Sequence, residues 1–129
     1  MKVKIVHKDS NVNKKMFKLY DEFIYFLQER YPLKKDIVIN FVGERKGKMT
    51  TGSRRDDNEL YILTKKRINR DILRTLAHEW VHEYQRTILK YPKGPNIGGR
   101  NEDMANAESG SLIKKFEKKY PNLEKKMYE

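Results

Sequence analysis

The sequence predicts an α+β fold, in which a small mixed sheet packs on an N-terminal helix and on two later helices. Two observations support this prediction. Short segments rich in β-branched residues alternate with longer segments whose apolar residues recur every three or four positions. The chain has 129 residues, enough for one core of ordinary size, so we expect one domain spanning residues 1–129.

The composition excludes several classes of protein. Apolar residues make up 37% of the chain and charged residues 36%, a polar balance that is still compatible with a folded domain. No apolar run approaches the roughly 20 residues that a membrane span needs, and no secretion signal is evident. The chain has no cysteine, which excludes disulfides, thiolate metal sites and cysteine nucleophiles. We therefore expect a cytoplasmic protein with no membrane partner.

The formal net charge is +11, and the sequence pI is near 9.7. Such a balance suits either an acidic partner, such as nucleic acid, or a surface covered with solvated lysines. The basic residues are spread through the whole chain and form no single tract. The sequence therefore favours a solvated surface, with nucleic acid as the second possibility.

The first half of the chain predicts a strand, a helix and a second strand. Apolar and polar residues alternate over residues 2–7, which suits a half-exposed strand. Residues 10–31 carry one apolar stripe at helical spacing, with Ser10 as the N-cap and Pro32 just beyond the end. The segment 36–44 is short and rich in β-branched residues, so we expect a buried strand there.

The second half predicts further strands and two helices. Residues 48–58 form either a short strand with a turn or an irregular loop, and residues 59–66 form another strand. Asn69 can cap a helix that runs to about Leu89. A loop rich in proline and glycine follows at residues 91–99. The order is therefore β-α-β-(β)-β-α-α.

The last helix is expected to begin beside Asn101, which can cap it, and to run through Lys119. Pro121 ends it, because proline cannot continue a helix.

Two of the three histidines lie in the segment "HEWVH". On a helix, His78 and His82 are one turn apart and point the same way. Their imidazoles can therefore converge on one metal ion at about 2.0–2.1 Å, the usual zinc–nitrogen distance. Glu79 is rotated off that line, so it can act on a metal-bound water as a general base. The apolar side chains of this helix fall on its opposite side, the expected core face: Leu73, Leu76, Ala77, Trp80, Val81, Tyr84 and Ile88.

A catalytic zinc normally has three protein ligands and one open position. The third ligand cannot be cysteine, and the remaining histidine, His7, lies on the first strand. Glu102 is the better candidate, because it opens the next helix after a loop long enough to reverse direction. The alternatives are Glu108 as the ligand, or Glu102 acting only as a capping residue. Asn106, one turn beyond Glu102, can hydrogen-bond a ligating histidine and fix its tautomer.

The segments "HEWVH" and "NEDMAN" together resemble the gluzincin type of zinc metallopeptidase. In that group the third ligand is a glutamate on the helix after the H-E-x-x-H helix. The E-x-x-A-N form is similar to the ImmA/IrrE-like branch and the N-E-x-x-(S/A)-(D/N) form to thermolysin-like peptidases. The order of elements also resembles the minimal gluzincin core over most of residues 36–118. The resemblance implies a zincin-like fold, with an HExxH helix followed by a glutamate-bearing helix.

The same resemblance implies a zinc metalloendopeptidase, a hydrolase that acts on a protein or peptide with Zn²⁺ as its cofactor. It assigns His78, His82 and Glu102 as ligands, Glu79 as the general base and Asn106 as a partner of a ligating histidine. The other interpretation of the motif is a chance pair of surface histidines on a basic helix. The corresponding alternative function is a basic nucleic-acid-associated binding module with a structural or inactive zinc site.

One part of the thermolysin-like pattern is missing. The chain has no room for the second domain that supplies groups stabilising the transition state in those enzymes. An extended substrate can still add to a free strand edge, at residues 59–65 or 48–52. Four side chains are candidates for stabilising the oxyanion: Tyr61, Arg86, Tyr91 and Arg100.

Overall fold

The first strand of this fold falls near its expected position. A computed structural model describes the whole chain except residues 1, 9, 11, 46, 48, 50, 55–57 and 93–98. The expected loop at 91–99 and the strand-or-loop segment at 48–58 therefore lie partly outside the described residues. Within the described ranges, the strands and helices are β1 (Val3–Lys8), α1 (Phe17–Arg30), β2 (Ile37–Val42), β3 (Gly52–Arg54), β4 (Glu59–Leu63), α2 (Asn69–Thr87), α3 (Arg100–Lys119) and α4 (Glu124–Met127).

The four strands form one mixed sheet in the order β1-β2-β4-β3. The pairs β1–β2 and β2–β4 are parallel, whereas β3 runs antiparallel to β4. The expected α+β class with a small mixed sheet is confirmed. Because β4 is paired on both sides, the segment 59–65 offers no free edge. Only β3 and β1 lie at the two edges of the sheet.

The core lies between the sheet and the helices. Alternate residues of β2 and β4, including Ile39, Phe41 and Leu60, are fully buried and pack against α1, α2 and α3. The expected core face of α2 is confirmed at Trp80, whose indole N–H donates to the carbonyl of Tyr31 at 2.9 Å. No helix in the described ranges is both long enough and apolar enough to cross a membrane.

The first helix begins later than the sequence predicts. The hydroxyl of Ser10 accepts a hydrogen bond from the backbone N–H of Val12 and so closes a local turn instead of capping a helix. Asn13 caps a 3₁₀ turn, accepting from the N–H of Lys15, and α1 follows directly from Phe17. The prediction of Ser10 as the N-cap is therefore wrong.

Asn69 also has a role other than the expected cap. Its buried side chain accepts from the Tyr20 hydroxyl at 2.8 Å and donates to the carbonyl of Lys126 at 3.0 Å. Its backbone N–H, one of the unpaired donors of the first helical turn, donates to the carbonyl of Glu129 at 2.8 Å. The segment around α4 therefore supplies hydrogen-bond partners for the first residue of α2. Met127 in this segment is fully buried and anchors it in the core.

We expect Met127→Ala to lower the free energy of unfolding by about 2–5 kcal/mol, because it removes a fully buried side chain and leaves a cavity. Chemical denaturation monitored by circular dichroism measures this change. The matched control is Lys125→Ala, an exposed position in the same short helix, which we expect to stay within about 0.5 kcal/mol of wild type. Equal effects of the two variants would contradict the anchoring role.

His7 lies in a stack of aromatic rings on the helix side of β1. Its ring centroid is 4.2 Å from that of Phe17 and 5.1 Å from that of Phe41, with nearly parallel planes. Its Nδ1 atom is buried and has no hydrogen-bond partner among the described residues. Burial lowers the pKa of His7 below its ordinary value of 6.5, and Asp21 acts in the opposite direction. This position suits an ordinary strand residue, the role that the sequence favours over metal ligation.

Because the pKa of His7 is lower in the folded state than in the unfolded chain, protonation favours unfolding. The contribution of His7 to stability is present above about pH 6.5 and is lost as the pH falls through its folded-state pKa. We expect an NMR titration to show the His7 ring titrating below 6.5. We also expect His7→Phe to reduce the loss of unfolding free energy between pH 7.5 and pH 5. A ring that titrated at or above 6.5 would contradict this interpretation.

Candidate metal centre

The three side chains predicted to bind a metal meet at one point. The Nε2 atoms of His78 and His82, one turn apart on α2, are 3.1 Å from each other. The carboxylate of Glu102 on α3 reaches both of them, with Oε1 2.7 Å from His78 Nε2 and Oε2 3.0 Å from His82 Nε2. Each of the three side chains is partly exposed, so the cluster opens to solvent.

This cluster fits a metal ion. One ligand atom from each residue lies within 4.8 Å of the others. Tetrahedral nitrogen and oxygen ligands at about 2.0–2.1 Å from a metal lie about 3.3 Å apart. The separations in the structure are 2.7 to 3.1 Å, so only small outward shifts are needed to admit an ion. His78, His82 and Glu102 can therefore hold a metal ion with a side open to water.

The first turn of α3 brings Glu102 to the histidines. Gly99 precedes the helix with φ at 89°, a conformation that favours glycine, and its carbonyl accepts from the N–H of Asp103 at 3.0 Å. Asn101 was expected as the cap but lies inside the helix, where its side chain donates to the carbonyl of Pro92 at 3.0 Å. A carboxylate in the first turn also interacts favourably with the positive end of the helix dipole.

The buried side chain of Gln85 links the two helices at this cluster. Its Nε2 donates to the carbonyl of Asn101 at 3.0 Å, next to Glu102 in sequence. Because that contact requires the amide nitrogen, the amide oxygen must face His82, where it lies 2.9 Å from Nδ1. His82 therefore carries its proton on Nδ1 and donates it to Gln85. In the neutral ring, the lone pair of Nε2 then points at the cluster.

Gln85 makes the hydrogen bond to a histidine that the sequence predicts for Asn106. The side chain of Asn106 is exposed, and no hydrogen bond from it to either histidine is present among the described residues. Its backbone carbonyl accepts from the Ser109 hydroxyl. The spacing contained a usable signal, because a side chain three positions after His82 lies on the same side of the helix.

The electrostatic environment favours the neutral form of His78. Burial lowers the pKa of His78 below 6.5, and the neighbouring His82 and Arg74 lower it further, whereas Glu102 acts to raise it. A metal ligand must offer a lone pair, so a histidine that resists protonation is suited to binding a cation.

Glu79 lies beside this cluster and under the edge strand. Its side chain is only 7% exposed, although the helical pattern had placed it on an open face. A Cβ built on Gly52 of β3 would lie 3.1 Å from its Cγ and 3.2 Å from its Oε2. The carboxylate of Glu79 therefore lies where a side chain of residue 52 would be, and it is one residue along α2 from the predicted ligand His78.

The other candidates for the third ligand have different partners. Glu108 accepts a short hydrogen bond from the hydroxyl of Tyr31, and His7 is enclosed by aromatic rings on β1. Among the oxyanion candidates, Tyr61 packs on the sheet face opposite α2 and donates to Glu59 at 2.6 Å. The remaining candidates lie in or beside the connection between α2 and α3, and their role stays a prediction: Arg86, Tyr91 and Arg100.

Comparisons of the chain with protein-family models, curated proteins and solved structures gave no match. The chemistry of the site is therefore inferred from the residues of this chain.

We expect Gln85→Met to weaken metal binding by about 10- to 100-fold, because it removes the acceptor that orients His82 while keeping the side-chain volume. Competition with a chromophoric chelator measures the affinity. Asn106→Ala is the matched comparison, since it removes an exposed amide from the helix that carries Glu102, and we expect it to bind metal as wild type does. If Asn106→Ala weakened metal binding and Gln85→Met did not, Asn106 would be the residue that orients His82.

Proposed function

We propose that the chain is a zinc-dependent endopeptidase of the gluzincin type, with a zincin-like arrangement of its sheet and helices. The observation that supports this proposal most strongly is the convergence of His78, His82 and Glu102, with Glu79 buried beside them. Two imidazoles and one carboxylate, with a side open to solvent, are the ligand set of a catalytic zinc site. The sequence resemblance to gluzincins assigns the same residues.

His78, His82 and Glu102 would hold a zinc ion, and the chemistry that it would supply is a bound water with a pKa near 7 and polarisation of the scissile carbonyl. His78 and His82 contribute neutral donors, and Glu102 contributes one negative charge. The Nδ1 hydrogen bond from His82 to Gln85 keeps the ring oriented through the reaction.

Glu79 acts as the general base in this proposal. It accepts a proton from the attacking water and passes it to the nitrogen of the leaving amine, so that one carboxylate serves both steps. Its buried position against β3 restricts the motion of the side chain. In this proposal, the ligands on α2 and α3 hold the reacting centre close to Glu79.

The edge strand supplies a place for an extended peptide. β3 is last in the strand order, and its outer side pairs with no strand among the described residues. A peptide added there would form backbone hydrogen bonds with β3 and pass close to Glu79, which contacts Gly52. Binding through the backbone suits a substrate that is an unfolded or extended segment of a protein.

The second candidate function is a basic nucleic-acid-associated module with an inactive zinc site, and it rests on the net charge of +11. Exposed lysines occur on β1, α1, α3 and α4 as well as in the connections between elements. This spread favours a solvated surface over one binding face, so the peptidase is the function that we propose.

We expect Glu79→Gln to retain one zinc ion per chain and to lower peptide hydrolysis by about 10²- to 10⁴-fold, because the amide cannot accept the proton. Hydrolysis of an unfolded protein substrate, followed by mass spectrometry, provides the rate, and metal analysis of the same sample provides the stoichiometry.

The controls are His78→Ala and Glu102→Ala, which we expect to lose both the metal and the activity. If Glu79→Gln leaves hydrolysis unchanged, or if wild-type protein loaded with zinc cleaves no peptide bond, the peptidase proposal is wrong. Binding to DNA or RNA that weakens with salt, without hydrolysis, would support the second candidate instead.

A further inference from the structure

Gly52, the first residue of β3, lies against α2 with no space for a side chain. A Cβ at this position would be 2.6 Å from Cγ2 of Thr75, closer than such atoms approach in folded proteins. It would also be 3.1 Å from Cγ and 3.2 Å from Oε2 of Glu79. Gly52 is not among the glycines with positive φ, so the lack of space, not the backbone conformation, requires glycine here.

Thr75 cannot turn aside to make room. Its hydroxyl accepts from Nη2 of Arg67 at 2.6 Å and donates to the carbonyl of Asp71 at 3.1 Å. These two hydrogen bonds fix the rotamer, and with it the methyl group that faces Gly52. Arg67 is itself held by the carbonyls of Leu63 and Asp71, both at 2.8 Å. A side chain at position 52 would therefore displace the strand from α2.

We propose that Gly52 is a positioning residue for Glu79. The absence of its side chain allows β3 to lie directly on the Glu79 carboxylate, and this contact keeps the carboxylate in one place beside the metal ligands. The inference rests on the proposed function, in which Glu79 is the general base. Gly52 itself touches neither metal nor reacting atoms and acts through Glu79.

The first test is Gly52→Ala in the zinc-loaded protein. We expect kcat to fall by about 100-fold, the effect of displacing a catalytic group by about 1 Å. The zinc stoichiometry should stay at the wild-type value, because the three atoms nearest to a Cβ at position 52 belong to Thr75 and Glu79 and not to a metal ligand. A merely structural glycine would lower the melting temperature but leave kcat per folded, zinc-loaded molecule unchanged.

Two further variants separate the contact with Glu79 from other effects of an added methyl group. Gly110→Ala adds the same group on α3, where a Cβ would lie 3.7 Å from Nη2 of Arg74, an ordinary contact distance, and we expect wild-type kcat. Thr75→Ser removes the obstructing methyl group but keeps the hydroxyl. In the double variant Gly52→Ala/Thr75→Ser, we therefore expect kcat to return toward the value of Thr75→Ser alone.

A second readout does not depend on hydrolysis. The side-chain carboxyl carbon of Glu79 can be observed by NMR in ¹³C-labelled protein and assigned by its loss in Glu79→Gln. We expect its signal to shift in Gly52→Ala, to stay in place in Gly110→Ala and to return in the double variant. An unchanged signal, or an unchanged kcat where Glu79→Gln abolishes activity, would overturn the role of Gly52. If wild-type protein cleaves nothing, the proposed function fails, and the carboxyl signal alone decides whether Gly52 positions Glu79.

Discussion

The contact between the Glu102 carboxylate and the two imidazoles of α2 is the interaction on which the rest of the site depends. It joins residues of two helices, so it exists only if α3 keeps its register and distance relative to α2. Gln85 fixes that relation at the site by binding His82 and the backbone of α3. Tyr31 fixes it further along, because its carbonyl accepts from Trp80 of α2 and its hydroxyl donates to Glu108 of α3. The candidate metal centre is thus held by hydrogen bonds between elements as well as by apolar packing.

The second constraint is the burial of polar groups along α2. One face of this helix is apolar and fills the core, but Thr75, Glu79, Glu83 and Gln85 are also buried. Burial of such groups is unfavourable unless they find hydrogen-bond partners. Thr75 has Arg67 and a helix carbonyl, Gln85 has His82 and α3, and Glu83 accepts from the N–H of Asn58 at 2.7 Å. Because Asn58 immediately precedes β4, the last contact also ties α2 to the start of a central strand.

Features that depend on local helical spacing could be predicted from the sequence, whereas features that depend on these distant hydrogen-bond partners could not. The helical spacing of His78 and His82 determines that they share a direction, and the apolar periodicity of α2 identifies its core face. Both depend on local geometry, and the structure agrees. The roles of Gln85 and Thr75 depend on where α3 and β3 pack, which no local pattern contains. The helix starts at Ser10 and Asn69 were misplaced for the same reason, since Asn69 bonds to Tyr20 and to the distant C-terminal segment. The sequence therefore predicted which three side chains converge and missed the residues that hydrogen-bond and pack around them.

The edge strand β3 has a low intrinsic preference for strand structure, although it lies beside Glu79 of the proposed site. β3 is only three residues long, and its first residue is glycine, which lowers the intrinsic preference for a strand. Its position depends on pairing with β4 and on its flat contact with α2. That contact is possible only because position 52 has no side chain. An edge strand with a side chain at position 52 would have to lie farther from Thr75 and Glu79. In the proposed enzyme, glycine lowers the stability of β3 but allows this strand to lie close to Glu79. The helix α2 carries Glu79 and the two histidine ligands.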